Sequence, residues 1–170
     1  AGNNLNCNAI AVRGEKVVIT GNIISDILGT GTNKEAIYAA ANECVIANNV
    51  IYNGGIGGDA WIDCQFGDDP KNRVIANNVL AASTGIAGTG IAVIGSATIV
   101  GNRIEGDALG LGIYVGGAVG LQQFVIADNT IECPAATSGI LIEDVLESAI
   151  TGNHITAGID AITASIIVAT

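Results

Sequence analysis

A short phrase returns six times along this chain, and in each copy an asparagine stands two residues before an aliphatic residue. The repeated asparagines are Asn22, Asn49, Asn78, Asn102, Asn129 and Asn153. They are spaced 27, 29, 24, 27 and 24 residues apart. A period of this length with strand-like residues is typical of a solenoid, in which each repeat forms one coil and packs only on its neighbours.

The residue before each repeated asparagine predicts a sharp bend. It is glycine, asparagine or aspartate in all six copies, and these residues enter the left-handed region of backbone conformation at the lowest steric cost. Aliphatic residues lie on both sides of the bend, in phase with the asparagine. We therefore expect each asparagine to point inward at a corner, where its amide hydrogen-bonds to the next coil in an Asn ladder.

A second strand-like phrase precedes each corner, as in Ala36-Ile-Tyr-Ala39 and Gly112-Ile-Tyr-Val115. Each coil should then contain three short strands: this one, the strand that enters the corner and the strand that leaves it. Stacked coils of this kind form parallel sheets with a spacing of about 4.8 Å. The sequence predicts an all-β fold, a right-handed parallel β-helix of six to seven coils of about 26 residues each.

The repeat continues without a linker, so residues 1–170 are expected to form a single β-helix domain. The chain begins within a coil at Ala1, which favours a processed product or a segment of a longer chain. From Val74 to Asn102 there are 29 positions without a charged residue. Because this stretch keeps the coil period and contains asparagine and glycine, we expect no membrane span.

The formal net charge is −10, and no lysine or arginine follows Arg103. Such a negative field disfavours nucleic acid as a partner. The four cysteines do not have the spacing of a metal site; they are Cys7, Cys44, Cys64 and Cys133. Cys44 and Cys133 lie beside inward positions, where a thiol behaves as a small apolar group. Two disulfides are the alternative, because the number of cysteines is even.

Aromatic residues are expected on one outward row of the first strand. Aligning the strand phrases places Tyr38, Trp61 and Tyr114 on this row. Flat rings along an elongated surface suit a polysaccharide, because the apolar faces of sugars stack on aromatic rings. The alternative is that loops fold over these rings and bury them.

Carboxylates and bases cluster beside this row. The acids are Asp59, Asp63, Asp68 and Asp69, and the bases that follow are Lys71 and Arg73. The four acids are candidate catalytic groups of a glycoside hydrolase. Asp63, Asp68 and Asp69 are also candidate ligands for Ca²⁺. A solvated acidic loop explains the same residues without either activity.

A second candidate cluster lies on the strand that leaves the corner. Arg103 and His154 are expected on one row, with Glu105 and Glu132 on the next. Glu105 and Glu132 should stand on adjacent coils, about 5 Å apart at the backbone. This arrangement allows acid–base chemistry, and it also describes a surface ladder of ion pairs.

The strand that enters the corner predicts an apolar outward surface, with valine at Val18, Val45, Val74 and Val125. A surface of this length is larger than a soluble monomer usually exposes. We expect other copies of the chain to cover it around a rotation axis, most simply in a trimer.

The coil phrase Ile-x-(Gly/Asn/Asp)-Asn-x-Ile resembles that of the pectin-lyase-like right-handed β-helix superfamily, which includes pectate lyases, polygalacturonases, epimerases and phage tailspikes. The resemblance covers nearly the whole chain, but it is specific for the fold rather than for an activity. Only one polygalacturonase motif, Gly-Asp-Asp, has a counterpart in this chain, at Gly67-Asp68-Asp69. The single histidine, His154, does not lie in a Gly-His-Gly segment. For the basic residue that the lyases use, the resemblance leaves Lys71 and Arg73 as candidates.

Two functions follow as expectations. The first is a polysaccharide-binding protein, which as an enzyme would be a polysaccharide lyase or a glycoside hydrolase, with Ca²⁺ as the one candidate cofactor. The second is a non-catalytic shaft segment of a trimeric fibre or phage tailspike. Both place the protein outside the cell or on a virion. Adsorption through a flat Thr/Ala/Val surface is a third reading, and the irregular period argues against it.

Overall fold

The computed structural model describes residues 8–27, 34–54, 60–64, 72–83, 88–116, 123–136, 138–143 and 147–157. In these ranges the regular secondary structure is entirely β-strand. The strands are β1 Ile10–Thr20, β2 Ile23–Ser25, β3 Ile37–Ala47, β4 Val50–Tyr52, β5 Ala60–Cys64, β6 Arg73–Ala76, β7 Val79–Ala81, β8 Thr89–Ile94, β9 Ala97–Val100, β10 Arg103–Glu105, β11 Leu111–Gly116, β12 Gln123–Ala127, β13 Thr130–Cys133, β14 Ser138–Glu143, β15 Glu147–Thr151 and β16 His154–Ala157.

The strands stack in parallel, and each pairs with its counterpart in the next repeat. One sheet has six strands in the order β16-β13-β10-β7-β4-β2, one from each coil. The other sheet has ten strands. Coils 1 and 2 each contribute one long strand, β1 and β3, and each later coil contributes two shorter strands. We number the coils 1 to 6 by these repeats, so that coil 2 contains β3 and β4 and coil 3 contains β5, β6 and β7. The predicted parallel β-helix is confirmed.

The predicted division of each coil into three strands holds from coil 3 onward. In coils 1 and 2 the first two strands are fused into single strands of 11 residues, β1 and β3. Ile37 and Ile46, one on each side of the bend in β3, are 9 residues apart, whereas Ile62 and Ile75 in coil 3 are 13 apart. The segment between these two positions is thus four residues longer in coil 3, where β5 and β6 are separate strands.

The predicted bend is present in every coil. The residues before the six repeated asparagines all have a positive φ, between 53° and 70°: they are Gly21, Asn48, Asn77, Gly101, Asp128 and Gly152. This is the region that favours glycine, asparagine and aspartate over other residues. The residue types at this position therefore follow from the backbone conformation of the corner.

The Asn ladder runs through all six corners. Asn49 shows the pattern: its backbone N and its Nδ2 both donate to Asn78 Oδ1, each at 3.0 Å, and Nδ2 also donates to Ile19 O in the preceding coil at 3.1 Å. The same two bonds to the next asparagine recur at Asn22, Asn78, Asn102 and Asn129. Because Asn49, Asn78, Asn102 and Asn129 are buried, the ladder satisfies polar groups that would otherwise be costly in the core.

Three rows of aliphatic residues fill the interior, one from each side of the coil. The first row is Ile10, Ile37, Ile62, Ile91, Ile113 and Ile140. The second is Ile19, Ile46, Ile75, Ile99, Ile126 and Ile150, and the third is Ile24, Ile51, Leu80, Ile104, Ile131 and Ile155. In coils 2 to 5 all of these side chains are fully buried. Each such side chain contributes roughly 1.5 to 3 kcal/mol of burial free energy.

Candidate functional sites

The outward row of the first strand differs from the predicted one at a single coil. Tyr38 pairs with Asp63, and Asp63 pairs with Ala92. The row, called here the Tyr/Asp row, is therefore Ala11, Tyr38, Asp63, Ala92, Tyr114 and Leu141. The expectation that Trp61 lies on this row is wrong, because Asp63, two residues further along β5, occupies that position. The row therefore contains two aromatic residues, Tyr38 and Tyr114.

Trp61 is fully buried. In coils 4, 5 and 6 the equivalent position is glycine, and a Cβ added to Gly112 would lie 2.6 Å from Ile131 Cγ2 in the core. Coil 2 makes room for the indole with another glycine: a Cβ on Gly54 would lie 2.8 Å from Trp61 Cδ2. Trp61 is thus a core residue, and its Nε1 has no hydrogen-bond partner among the described residues.

The Tyr/Asp row carries polar partners at both ends. The Arg13 guanidinium lies 6.0 Å from the centroid of the Tyr38 ring, within the range of a cation–π contact. At the other end, Tyr114 donates its hydroxyl hydrogen to Glu143 Oε2 at 3.1 Å. Asp63 stands between the two tyrosines and is 9% exposed. Tyr38 and Tyr114 are three strands apart, or about 14 Å.

Several predicted site residues lie outside the described residues: Asp59, Asp68, Asp69 and Lys71. Asp63 is the one predicted catalytic acid and Ca²⁺ ligand with a described position. Within the described ranges no group of three or more His, Cys, Asp or Glu side chains is arranged to hold a metal ion. The catalytic and Ca²⁺ assignments of these residues therefore stay predictions.

Arg73 was expected beside the aromatic row as a substrate-binding base, and the structure buries it completely. It pairs with Cys44 in coil 2 and Ala97 in coil 4, which are inward positions. The guanidinium donates to three backbone oxygens, Ala41 O at 3.2 Å, Cys64 O and Ile94 O. An arginine can be buried at this position because the N–H groups of its planar guanidinium are satisfied by these three carbonyl oxygens.

Two thiols meet beside Arg73. Cys44 and Cys64 are both buried, and the Cys64 thiol hydrogen-bonds to the Cys44 sulfur. That hydrogen bond lowers the pKa of Cys44; burial opposes the effect and the charge of Arg73 adds to it. The same hydrogen bond and burial raise the pKa of Cys64 well above its usual value. Cys44 is therefore the sulfur that more readily carries negative charge.

This cluster was missed in the sequence, although a signal was present. Cys44-Val-Ile-Ala-Asn-Asn49 and Arg73-Val-Ile-Ala-Asn-Asn78 are the same phrase with one substitution. Aligning them would have placed Arg73 on the inward row of Cys44. No comparable repeat links Cys64 to either residue.

The second candidate cluster has the predicted row order. Arg103 pairs with Thr130, and Thr130 pairs with His154, while Glu105 pairs directly with Glu132. Arg103 Nε contacts Glu105 Oε1 within β10. Arg103, Glu132 and His154 are exposed, and His154 stands two coils from Arg103. The geometry is that of a surface ion pair beside a second carboxylate, and an acid–base role for His154 stays a prediction.

The apolar outward surface has the predicted register. Its rows are Val18, Val45, Val74, Thr98, Val125 and Ala149, and Thr20, Ala47, Ala76, Val100, Ala127 and Thr151. We call these twelve residues the Val/Thr face. Val18, Val45 and Val125 are 70%, 37% and 42% exposed. On one border of the face Lys16 pairs with Glu43, with 3.4 Å between Nζ and Oε2.

Comparison with protein-family models, with curated proteins and with solved structures found no match to this chain. Across the described ranges, no helix has the length and apolar character needed to cross a membrane. Functional assignment therefore depends on the surfaces and clusters described above.

Proposed function

We propose that this chain is a non-catalytic structural β-helix, a shaft segment that associates with further copies of itself through the Val/Thr face, as a trimer. In this proposal the chain belongs with the tailspike-like members of the pectin-lyase-like superfamily and works outside the cell or on a virion. The observation that carries the proposal is the Val/Thr face, which continues in register from β1 to β15 without a charged residue.

Charge limits the surface through which a second copy can bind. The chain has a net charge of −10, so two copies repel one another when their acidic surfaces meet. The Val/Thr face is the surface on which this repulsion is weakest and on which burial of apolar area is favourable. Flat faces of short side chains from three copies can also meet around a threefold axis, where each copy contacts the other two.

Light scattering coupled to size-exclusion chromatography tests the proposal. The wild-type protein should have the mass of a trimer. A variant with Val45→Asp and Val74→Asp should be a monomer, because both carboxylates would be buried without partners at the interface. A monomeric wild type at concentrations up to the solubility limit would refute the assembly.

A matched control places the same two charges on the other sheet. Val50 and Val79 pair in adjacent coils, and both are half-buried outward residues of the six-stranded sheet. Val50→Asp with Val79→Asp should leave the trimer intact. Loss of the trimer in both double variants would indicate a general loss of structure rather than a specific interface.

Binding of a polysaccharide along the Tyr/Asp row is the second candidate function, as a lectin-like surface or as part of an enzyme. It is supported by the placement of Tyr38, Asp63 and Tyr114 on one rigid outward row, with Glu143 bonded to Tyr114. Two rings about 14 Å apart with a carboxylate between them would span a short run of sugar units. The buried position of Trp61 makes this candidate weaker than the first.

Glycan retention on a panel of acidic and neutral polysaccharides, with and without Ca²⁺, tests this second candidate. Tyr114→Ala should weaken retention by the loss of one stacking contact, on the order of 1 kcal/mol. Leu141→Ala, on the same row, is the control and should retain binding. Product assays in the same panel decide whether binding is accompanied by cleavage, and Asp63→Asn should then abolish turnover.

A further inference from the structure

Cys44 and Cys64 bring two thiols together across the boundary between coil 2 and coil 3. Cys44 lies in β3 and Cys64 is the last residue of β5, which pairs with β3. Both are free, buried cysteines, and a side-chain hydrogen bond between them is the largest cause of their pKa shifts. A disulfide requires two cysteines that can approach one another, and this pair faces the same interior from adjacent coils.

Arg73 contacts both cysteine residues through its backbone and its side chain. Its backbone pairs with Cys44, and its guanidinium donates to the carbonyl oxygen of Cys64. One side chain therefore ties together the two positions that carry the thiols. Its positive charge also favours the thiolate form of Cys44, which is the reactive form in thiol–disulfide exchange.

We propose that Cys44 and Cys64 form a disulfide that joins coil 2 to coil 3, with Arg73 as the positioning residue. The bond crosses from one coil to the next, so it resists the separation of stacked coils. This inference is independent of the proposed assembly, because the thiol pair lies inside the coil and the Val/Thr face lies outside.

The chemistry is thiol–disulfide exchange with an external small-molecule disulfide, such as oxidised glutathione. While the coils are open during folding, one protein thiol attacks this disulfide, forms a mixed disulfide and releases one small-molecule thiol. When the coils stack, the second protein sulfur attacks the first and releases another small-molecule thiol. Two protein thiols thus lose two electrons and two protons, which leave on the two small-molecule thiols.

The full chain tests the proposal directly. It is refolded from denaturant in a buffer of oxidised and reduced glutathione, quenched with acid, and alkylated under denaturing conditions. Cleavage before aspartate separates Cys44, in the peptide 26–58, from Cys64, in the peptide 63–67. We expect these two peptides to be joined and to separate on reduction. Four alkylated cysteines, or a cross-link between any other pair, would overturn the proposal.

A second pair of variants keeps the result interpretable. Cys7→Ser with Cys133→Ala retains only the proposed pair, and it should still gain two alkylation sites on reduction. Cys44→Ala with Cys64→Ala should gain none. In the first variant the oxidised form should melt at a higher temperature than the reduced form, on the order of 5 to 10 °C. Equal melting temperatures would refute the bond as a constraint on the stacked coils.

The role of Arg73 has its own readout. In Arg73→Gln the rate of closing the mixed disulfide should fall about tenfold near neutral pH, and its dependence on pH should move upward, because the thiolate of Cys44 loses a nearby positive charge. Arg73→Lys should restore part of the rate. An unchanged pH profile in Arg73→Gln would leave Arg73 with a packing role only.

Discussion

Asn78 donates two hydrogen bonds to a single atom of Asn102: its backbone N lies 3.0 Å and its Nδ2 lies 2.9 Å from Asn102 Oδ1. Asn102 repeats the pattern toward Asn129 and also donates to Ile75 O. An interior asparagine thus accepts from the asparagine of the coil before it and donates to the asparagine of the coil after it, and it also donates to a backbone oxygen of the coil before it. Its removal leaves polar groups of two neighbouring coils buried without partners.

Asn102→Leu should lower the free energy of unfolding by about 1 to 3 kcal/mol, because Asn78 N and one hydrogen of Asn78 Nδ2 lose their acceptor in the core, while Nδ2 keeps its bond to Ile46 O. The matched variant is Asn22→Leu at the end of the described ladder, where Asn22 is only half-buried and donates to Asn49. This change should cost less. Denaturant unfolding compares the two, and an equal or larger loss for Asn22→Leu would contradict the ladder as a source of stability.

Asn53 is unsuitable as an off-ladder control, although its position outside the repeated phrase first suggests that role. It has φ of 52°, donates to Asp26 Oδ1 at 2.9 Å and accepts from Ser83 N at 2.8 Å. The chain therefore has a second, shorter set of coil-to-coil bonds at the corner after the third strand. Its sequence signal is weak because Asp26, Asn53 and Ala82 differ in side chain.

Gly112→Ala should destabilise the protein by roughly 1 to 3 kcal/mol through overpacking. A Cβ at this position would lie 2.5 Å from Gly139 O and 2.6 Å from Ile131 Cγ2, and backbone atoms of the next coil cannot move aside cheaply. Gly110→Ala is the control two residues away, where an added Cβ would lie 3.8 Å from Gly88 O, an ordinary van der Waals contact. Thermal melts of both variants should separate them, and similar melting temperatures would contradict the close approach of the coils.

The fold was predictable because the repeat encodes backbone conformation and side-chain direction together. Gly101 accepts the positive φ of the corner, and the buried Asn102 forms hydrogen bonds with the polar groups there. The same two roles recur at the corresponding pair of residues in every coil. The aliphatic rows follow from strand alternation on either side of that corner. Local conformation and burial thus agree in each repeat.

The candidate sites were less predictable than the fold, because they depend on the register of β5 and on the burial of a charged residue, Arg73. In coil 3 the predicted row aligned Trp61 with Tyr38, whereas Asp63 is the residue that pairs with Tyr38. The longer connection from Ile62 to Ile75 removed the spacing that would have decided this register. Arg73 was placed outside because charged residues are seldom fully buried. The three carbonyl acceptors that permit its burial come from different coils and carry no side-chain signal.

Trp61→Ala should lower the free energy of unfolding by about 3 to 5 kcal/mol, as expected for the loss of a large buried aromatic side chain. Tyr38→Ala is the comparison, because Tyr38 is half-buried on the outward Tyr/Asp row and should cost less. Chemical denaturation measures both. If Trp61→Ala instead left stability unchanged and reduced glycan binding, the indole would be a surface platform, contrary to its buried position in β5.

Cys133 predicts a loss of stability at alkaline pH. Burial is the main cause that raises the pKa of its thiol from 9.0 to about 11, and the neighbouring charge of Glu132 adds to the shift. In the unfolded chain the thiol loses its proton above its ordinary pKa, while the folded chain retains it, so between about pH 9 and 11 the unfolded state binds fewer protons. The stabilisation is complete below pH 9 and is lost as pH rises toward 11.

Unfolding experiments from pH 7 to 11 on the wild type and on Cys133→Ala isolate this contribution, because the other titrating groups are common to both. The free energy of unfolding of the wild type should fall more steeply above pH 9 than that of Cys133→Ala, and the difference between them should be constant below pH 9. Parallel curves up to pH 11 would show that the thiol ionises equally in both states. Such a result would contradict the burial of Cys133 at the end of β13, since a buried thiol resists ionisation.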